Sequence, residues 1–142
     1  MKITYPFEYI GTNRFGKIFR PAIPIFIFKK DLGVFVKKVL VVDSGADLTI
    51  FPRRDAALFG ISLEKETIKD ETFGVGGKET IFLFNGLIVK VGDIRLKIPC
   101  GFLDRNDVPA LLGRQHFLEL FHICFKDYTT TLQKMTLKKQ LE

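Results

Sequence analysis

Apolar residues alternate or run in short blocks along this chain, and glycines, prolines and charged pairs separate the blocks. Over residues 21–28, Ile23, Ile25 and Ile27 alternate with Pro24 and Phe26. That period of two predicts a strand, and Pro24, which cannot donate to a ladder, predicts an edge position. Residues 29–33 read as a turn, and residues 34–42 return as a second strand. Its last four residues, Val39-Leu40-Val41-Val42, run straight into Asp43. An apolar run bounded by a turn marks a strand buried on both faces. The small residues Ser44, Gly45 and Ala46 follow and let another backbone come close.

Pro52 predicts a short helix to about Phe59, with Gly60 just beyond its end. Residues 61–70 read as an extended, charged surface segment. Gly74-Val75-Gly76-Gly77 forms the pliable tip of a long hairpin, and Asn85-Gly86 interrupts or bulges its return strand. A second hairpin turns at Gly92-Asp93, where Ile94, Leu96 and Ile98 alternate with Arg95 and Lys97. After a polar loop over 103–109 comes a short buried strand over 110–113. Residues 114–121 then read as a helix with Phe117, Leu118 and Phe121 on one face. Residues 123–125 and 129–137 form a closing hairpin. Residues 1–20 have no clean period and read as an N-terminal arm with at most a short strand, and residues 138–142 as a charged tail. The expectation is an all-β chain with one or two short helices and no internal repeat.

Composition narrows this picture. A chain of 142 residues implies one domain, and 46% hydrophobic residues with 15 Phe imply an aromatic-rich core. No apolar run reaches the roughly 18 residues of a spanning helix, and the first residues lack the apolar centre of a signal peptide. A cytoplasmic location without membrane contact is expected. Cys100 and Cys124 sit in apolar segments and read as reduced core residues, with a disulfide or a metal pair as the lesser alternative. The net charge is +6, but its basic pairs are scattered and not interleaved with exposed aromatics. That pattern describes a solvated basic surface rather than a nucleic-acid groove.

Several kinds of chemistry are excluded by motif. The chain has no Gly-x-Ser-x-Gly elbow and no His-Glu-x-x-His. The stretch from Gly74 to Lys78 fails as a phosphate loop, because its glycine spacing is wrong and Glu79 stands where a Ser or Thr would hold magnesium. His116, on the polar side of the expected second helix, and His122, which flanks a strand, are isolated histidines and poor metal ligands.

What remains is an acid at the end of a buried strand, costly unless it is hydrogen-bonded or used. Taken alone, Asp43-Ser44-Gly45 is an ordinary turn. Two later features change that reading. In order, the chain carries Val41-Val42-Asp43-Ser44-Gly45-Ala46 with Asp47 and Thr49, then the glycine-rich Gly74-Val75-Gly76-Gly77, then Leu111-Leu112-Gly113-Arg114. In this order the chain resembles the retropepsin-like aspartic proteases, the family of retroviral proteases and their cellular relatives, over roughly residues 20–135.

The resemblance implies a closed acid-protease barrel, residues 21–137 as the protease domain, and a homodimer. Aspartic proteolysis needs two carboxylates sharing one proton, and this chain has one such motif, so each subunit would contribute one Asp43. Ser44 would bond across the dimer, Gly45 would offer its carbonyl to substrate, and Ala46 and Asp47 would line the pocket. Gly74, Val75, Gly76 and Gly77 would close as a flap over an extended peptide bound as an added strand. Thr49, Gly113 and Arg114 would support the site. Arg114, in the first turn of the expected helix, opposes the helix dipole and calls for an acid, for which Asp47 is the candidate. Arg20-Pro21 matches a pair whose Arg reaches the partner subunit in some retroviral members. No metal or organic cofactor is implied. The bland alternatives are a turn Ser at Ser44 and a loose surface hairpin at the flap. The alternative for the whole chain is a catalytically silent dimer of the same fold that binds peptides or assembles.

Overall fold

The computed structural model describes residues 2–135. Twelve strands dominate it: β1 (Lys2–Pro6), β2 (Glu8–Asn13), β3 (Gly16–Arg20), β4 (Ala22–Lys29), β5 (Val34–Val42), β6 (Thr49–Pro52), β7 (Ile68–Gly74), β8 (Gly77–Val91), β9 (Ile94–Leu103), β10 (Leu111–Leu112), β11 (Phe121–Lys126) and β12 (Thr129–Lys134). Two one-turn helices, α1 (Asp55–Leu58) and α2 (Leu63–Glu66), lie between β6 and β7. The chain is all-β, as its patterning implies.

Seven strands form the main sheet in the order β4-β5-β10-β6-β9-β8-β7, and β4 also meets β8 through Phe26–Lys90 and Ile27–Val89. The sheet thus curls back on itself. Pro24 lies outside that short second pairing, so its missing N–H faces an open edge, as expected of an edge proline. Inward positions of β4 are Ile23, Ile25 and Ile27, all essentially fully buried. Phe51, Phe59 and Phe102 pack with them, with ring centroids 4.9 Å apart for Phe51–Phe59 and 5.7 Å for Phe51–Phe102. Full burial of such a ring contributes about 1.5–3 kcal/mol relative to exposure.

The two hairpins form where expected. β7 and β8 pair from Ile68–Leu83 to Gly74–Gly77, and β8–β9 shifts register between Phe84 and Leu87, where Gly86 has φ +89°. Asn85-Gly86 is therefore a bulge. Gly60 follows α1 with φ +71°, and a Cβ there would lie 2.5 Å from the Asp31 carboxylate, so only glycine fits.

Five local expectations are corrected. Residues 1–20 hold three strands: β1 joins a sheet β1-β12-β11, while β2 and β3 pair only with each other. Pro52 ends β6, pairing with Leu103, and α1 begins only at Asp55, whose buried carboxylate meets Lys38 Nζ at 2.9 Å. Residues 61–70 are not uniformly extended, because Ser62 caps α2: its Oγ accepts from Lys65 N at 3.2 Å while Glu66 accepts from Ser62 N at 2.7 Å. The hydrogen bond from Lys30 and, after it, that from Ser62 N lower the Glu66 pKa.

The helix expected over 114–121 is only a 3₁₀ turn over Leu118–Leu120, and Phe121 already opens β11. His116 has φ +57°, outside the helical region, so no α-helix runs through 114–121, and the amides of Arg114 and Gln115 bond to the carbonyls of Ala46 and Asp47. Arg114 therefore faces no helix dipole, and His116 lies on no helix. Cys100 is buried as expected, its thiol pushed up by desolvation, but Cys124 is exposed because the alternation of β11 turns Ile123 inward. The tail expected over 138–142 lies outside the described residues.

Candidate active site

The Asp43 turn is held by a strand threaded between its two arms. β10 pairs in parallel with β5 through Leu111–Val41 and Leu112–Val42, and antiparallel with β6 through Leu111–Ile50. Asp43 N donates to Leu112 O at 3.0 Å, and Arg114 N to Ala46 O at 2.9 Å. The turn is thus bonded on both sides to residues 110–115, which explains why two apolar blocks so far apart in sequence end on small residues.

Within the turn, Asp43 is half-buried, and its Oδ1 accepts from Gly45 N at 3.0 Å while its carbonyl accepts from Ala46 N at 3.1 Å. Thr49 is fully buried beneath it, and its Oγ1 accepts from Gly113 N at 3.1 Å. Arg114 reaches back over the turn, donating to the Ser44 carbonyl at 2.6 Å and pairing with the Asp47 carboxylate. The Arg114–Asp47 pair anticipated from sequence is present, although the helix that motivated it is not.

Above the turn stands the β7–β8 hairpin, whose two-residue tip, Val75-Gly76, is exposed. Between hairpin and turn lies a groove of about 580 Å³. It brings together Asp43, Gly45, Ala46, Asp47, Gly74 and Val75, six of the residues singled out from sequence. Ser44, Thr49, Gly113 and Arg114 brace the turn from outside the groove, and Gly76 and Gly77 lie beyond its lining at the tip. The remaining walls are Leu48, Ile50, Ile81, Leu83 and Leu111, with Asp70, Glu71, Thr72 and Phe73 from the hairpin. Sequence reading missed these walls. The alternation of β6 and β8 carried a signal for Ile50, Ile81 and Leu83; nothing local marked Asp70. Arg105, on the 103–109 loop, ties that loop to the tip-ward half of the hairpin through Glu79 at 2.6 Å and also pairs with Asp107 at 2.6 Å. Among the described residues no group of three or more His, Cys, Asp or Glu side chains could hold a metal.

A sequence model of the aspartyl protease family matches residues 33–115, more than half of the chain, including the Asp43 turn, the hairpin and β10. The chain belongs to the aspartyl protease family. Its retropepsin-like character is supported by structure as well. A retropepsin-like aspartic protease from Rickettsia conorii superposes with a TM-score of 0.63 at 22% identity, covering 93% of this chain and 98% of that one. That likeness establishes a retropepsin-like fold. The EIAV protease complexed with the inhibitor HBY-793 matches with a TM-score of 0.49 and 20% identity over 67% of this chain and 82% of that one. No curated protein matches the chain. Among the described residues no helix is long and apolar enough to cross a membrane.

Proposed function

We propose that this member of the aspartyl protease family is an endopeptidase working as a homodimer, with Asp43 of each subunit forming the catalytic pair. The observation that carries this reading is a half-buried Asp43 on a hydrogen-bonded turn, facing a hairpin across a groove of about 580 Å³. Two carboxylates at the two-fold axis cannot both ionise, so they share one proton and titrate as a unit. The ionised member takes a proton from water as the oxygen attacks the scissile carbonyl carbon. The protonated member donates its proton to the carbonyl oxygen. As the resulting gem-diol collapses, one hydroxyl gives its proton to the ionised carboxylate, the C–N bond breaks, and the other carboxyl passes its proton to the leaving amine, which restores the pair with one proton. No metal or organic cofactor enters these steps.

The remaining residues act by position. Ser44, exposed on the turn, joins the two turns across the dimer. Gly45 offers its carbonyl to the substrate backbone, and Ala46 leaves room for it. Gly74, Val75, Gly76 and Gly77 close over the peptide, which pairs as an added strand, and exclude water. Arg114 and Asp47 keep the turn in register. The protease domain is taken as residues 21–137, as expected from sequence.

The test is cleavage of a mixed peptide library from acid to neutral pH by the wild-type chain and by Asp43→Asn. Loss of cleavage by at least about a hundredfold in the variant is expected, the scale of general acid–base catalysis. Cleavage that survives the substitution would sink the assignment of Asp43. Absence of cleavage by either protein, at concentrations where the dimer is measured to form, would favour the silent peptide-binding dimer.

A further inference from the structure

The charge of the groove runs against that of the molecule. The chain carries +6, yet the groove lining contains Asp43, Asp47, Asp70 and Glu71 and no Lys, Arg or His. Half of this negative charge is already matched. Asp47 is paired with Arg114, and Glu71 with Lys78 at 2.8 Å. Glu79, on the neighbouring strand, is held by Arg105. Asp43 is assigned the chemistry. Asp70 is different: among the described residues it has no ion-pair partner, and its one hydrogen bond is from the adjacent Glu71 amide, 2.8 Å from Oδ1.

Register fixes where Asp70 points. It lies directly opposite Ile81 in the β7–β8 ladder, and directly opposed residues share a face of the sheet. Ile81 is 4% exposed, lines the groove and packs against the floor at Gly101, where a Cβ would meet its Cδ1 at 2.4 Å. Asp70 is therefore on the groove face of the hairpin, beside Ile81, with Leu83 one inward position further along β8. Glu71 also borders the groove, but its carboxylate is engaged by Lys78. An apolar wall ending in one unmatched carboxylate fits a side chain with a long hydrocarbon stem and a cationic head.

We propose that Asp70 makes the groove select peptides carrying a lysine or arginine beneath the flap, with the stem on Ile81 and Leu83 and the charged head at the Asp70 carboxylate. This rests on the groove being the peptide site, and it deepens the protease reading by naming a class of substrate. Asp70 is a specificity residue and takes no part in the proton transfers.

Binding, rather than turnover, tests it. In an Asp43→Asn background, fluorescence anisotropy compares labelled pools of short apolar peptides carrying either lysine or norleucine, which has the same stem without the charge. The lysine pool should bind about three- to fivefold tighter, the scale of one solvent-accessible ion pair. Adding Asp70→Asn should erase the preference, and Asp70→Lys should turn it toward a glutamate pool. Adding Asp93→Asn, an exposed carboxylate outside the groove lining, should leave it intact. Equal binding of the two pools, no binding of either, survival of the preference in Asp70→Asn, or an equal loss in Asp93→Asn would each overturn the proposal. Failure of the protease reading looks different: the lysine preference is present and depends on Asp70, but the unmutated chain cleaves nothing.

Discussion

Gly113 has no room for a side chain. A Cβ there would lie 2.4 Å from both the carbonyl carbon and the carbonyl oxygen of Leu48, and 2.8 Å from Thr49 N. These are backbone atoms of the turn itself and cannot swing aside. Gly113→Ala must therefore push β10 away and strain its bonds to Thr49 Oγ1 and Asp43 N. A destabilisation of about 2–4 kcal/mol is expected, seen as a lowered thermal midpoint, because overpacking and broken buried hydrogen bonds add. Arg114→Ala should behave in the opposite way. Its pair with Asp47 is open to solvent, Asp47 being 80% exposed, so stability should change by only about 0–1 kcal/mol. The same guanidinium also holds the Ser44 carbonyl, and without it the turn loses its outer brace. A fall in kcat/KM of about tenfold or more with little change in the midpoint is expected, and Arg114→Lys should not restore it, since an ammonium lacks the two-pronged fork. A steep loss of stability instead would make Arg114 a fold residue. At this scale the sequence was informative where residue type and chemistry coincide: Asp43, Ala46, Asp47 and Arg114 meet in space as their motifs implied. Asp70 was invisible, because only its register against Ile81 turns it inward.

The elements were legible where local pattern alone decides them. The alternation of β4, the apolar end of β5 and the glycine-tipped hairpin all follow from period and turn chemistry. The misread segments depend on distant partners. Phe117, Leu118 and Phe121 are buried, as a helical face would require, but a 3₁₀ turn followed by a strand buries them equally well. The left-handed turn at His116 breaks the helix, just after the chain has bonded back to the Asp43 turn, far away in sequence. Likewise β1 exists because β12 pairs with it from the other end of the chain. The Ser62–Glu66 cap of α2, by contrast, is wholly local, made within residues 62–66. The flap hairpin carries a prediction of its own. Gly77 has φ +107° with nothing within 4 Å of a Cβ, so Gly77→Ala strains the backbone without any clash. That strain sits at an exposed tip, which can relax it locally. Thermal unfolding should shift little while kcat/KM falls several-fold as closure is disturbed, and an unchanged kcat/KM would mean that the hairpin does not close on substrate.

For the whole molecule, acid matters twice. The proposed Asp43 pair needs one proton between two carboxylates, so activity has an acid limb. The scaffold has one too, with a separate origin. Arg105, by hydrogen bonding first and charge second, holds the Asp107 carboxyl down at about 2, and the hydrogen bond from Lys30 followed by that from Ser62 N lowers Glu66. A carboxylate whose folded pKa is depressed adds stability that is fully present above its unfolded value, 3.8 for Asp107, and is lost as pH falls through its folded value. Thermal midpoints should therefore decline between about pH 4 and pH 2. Asp107→Asn should lower the midpoint at neutral pH, flatten its decline in that window, and converge with the wild type at the acid end. Asp107 lies on the 103–109 loop, and its salt bridge is to Arg105, away from the Asp43 turn. The acid limb of kcat, measured below the midpoint at each pH, should consequently be the same in both proteins. If the limb moves together with the midpoint, the apparent acid limit of activity reports unfolding, and the shared proton of the Asp43 pair has to be sought at higher pH.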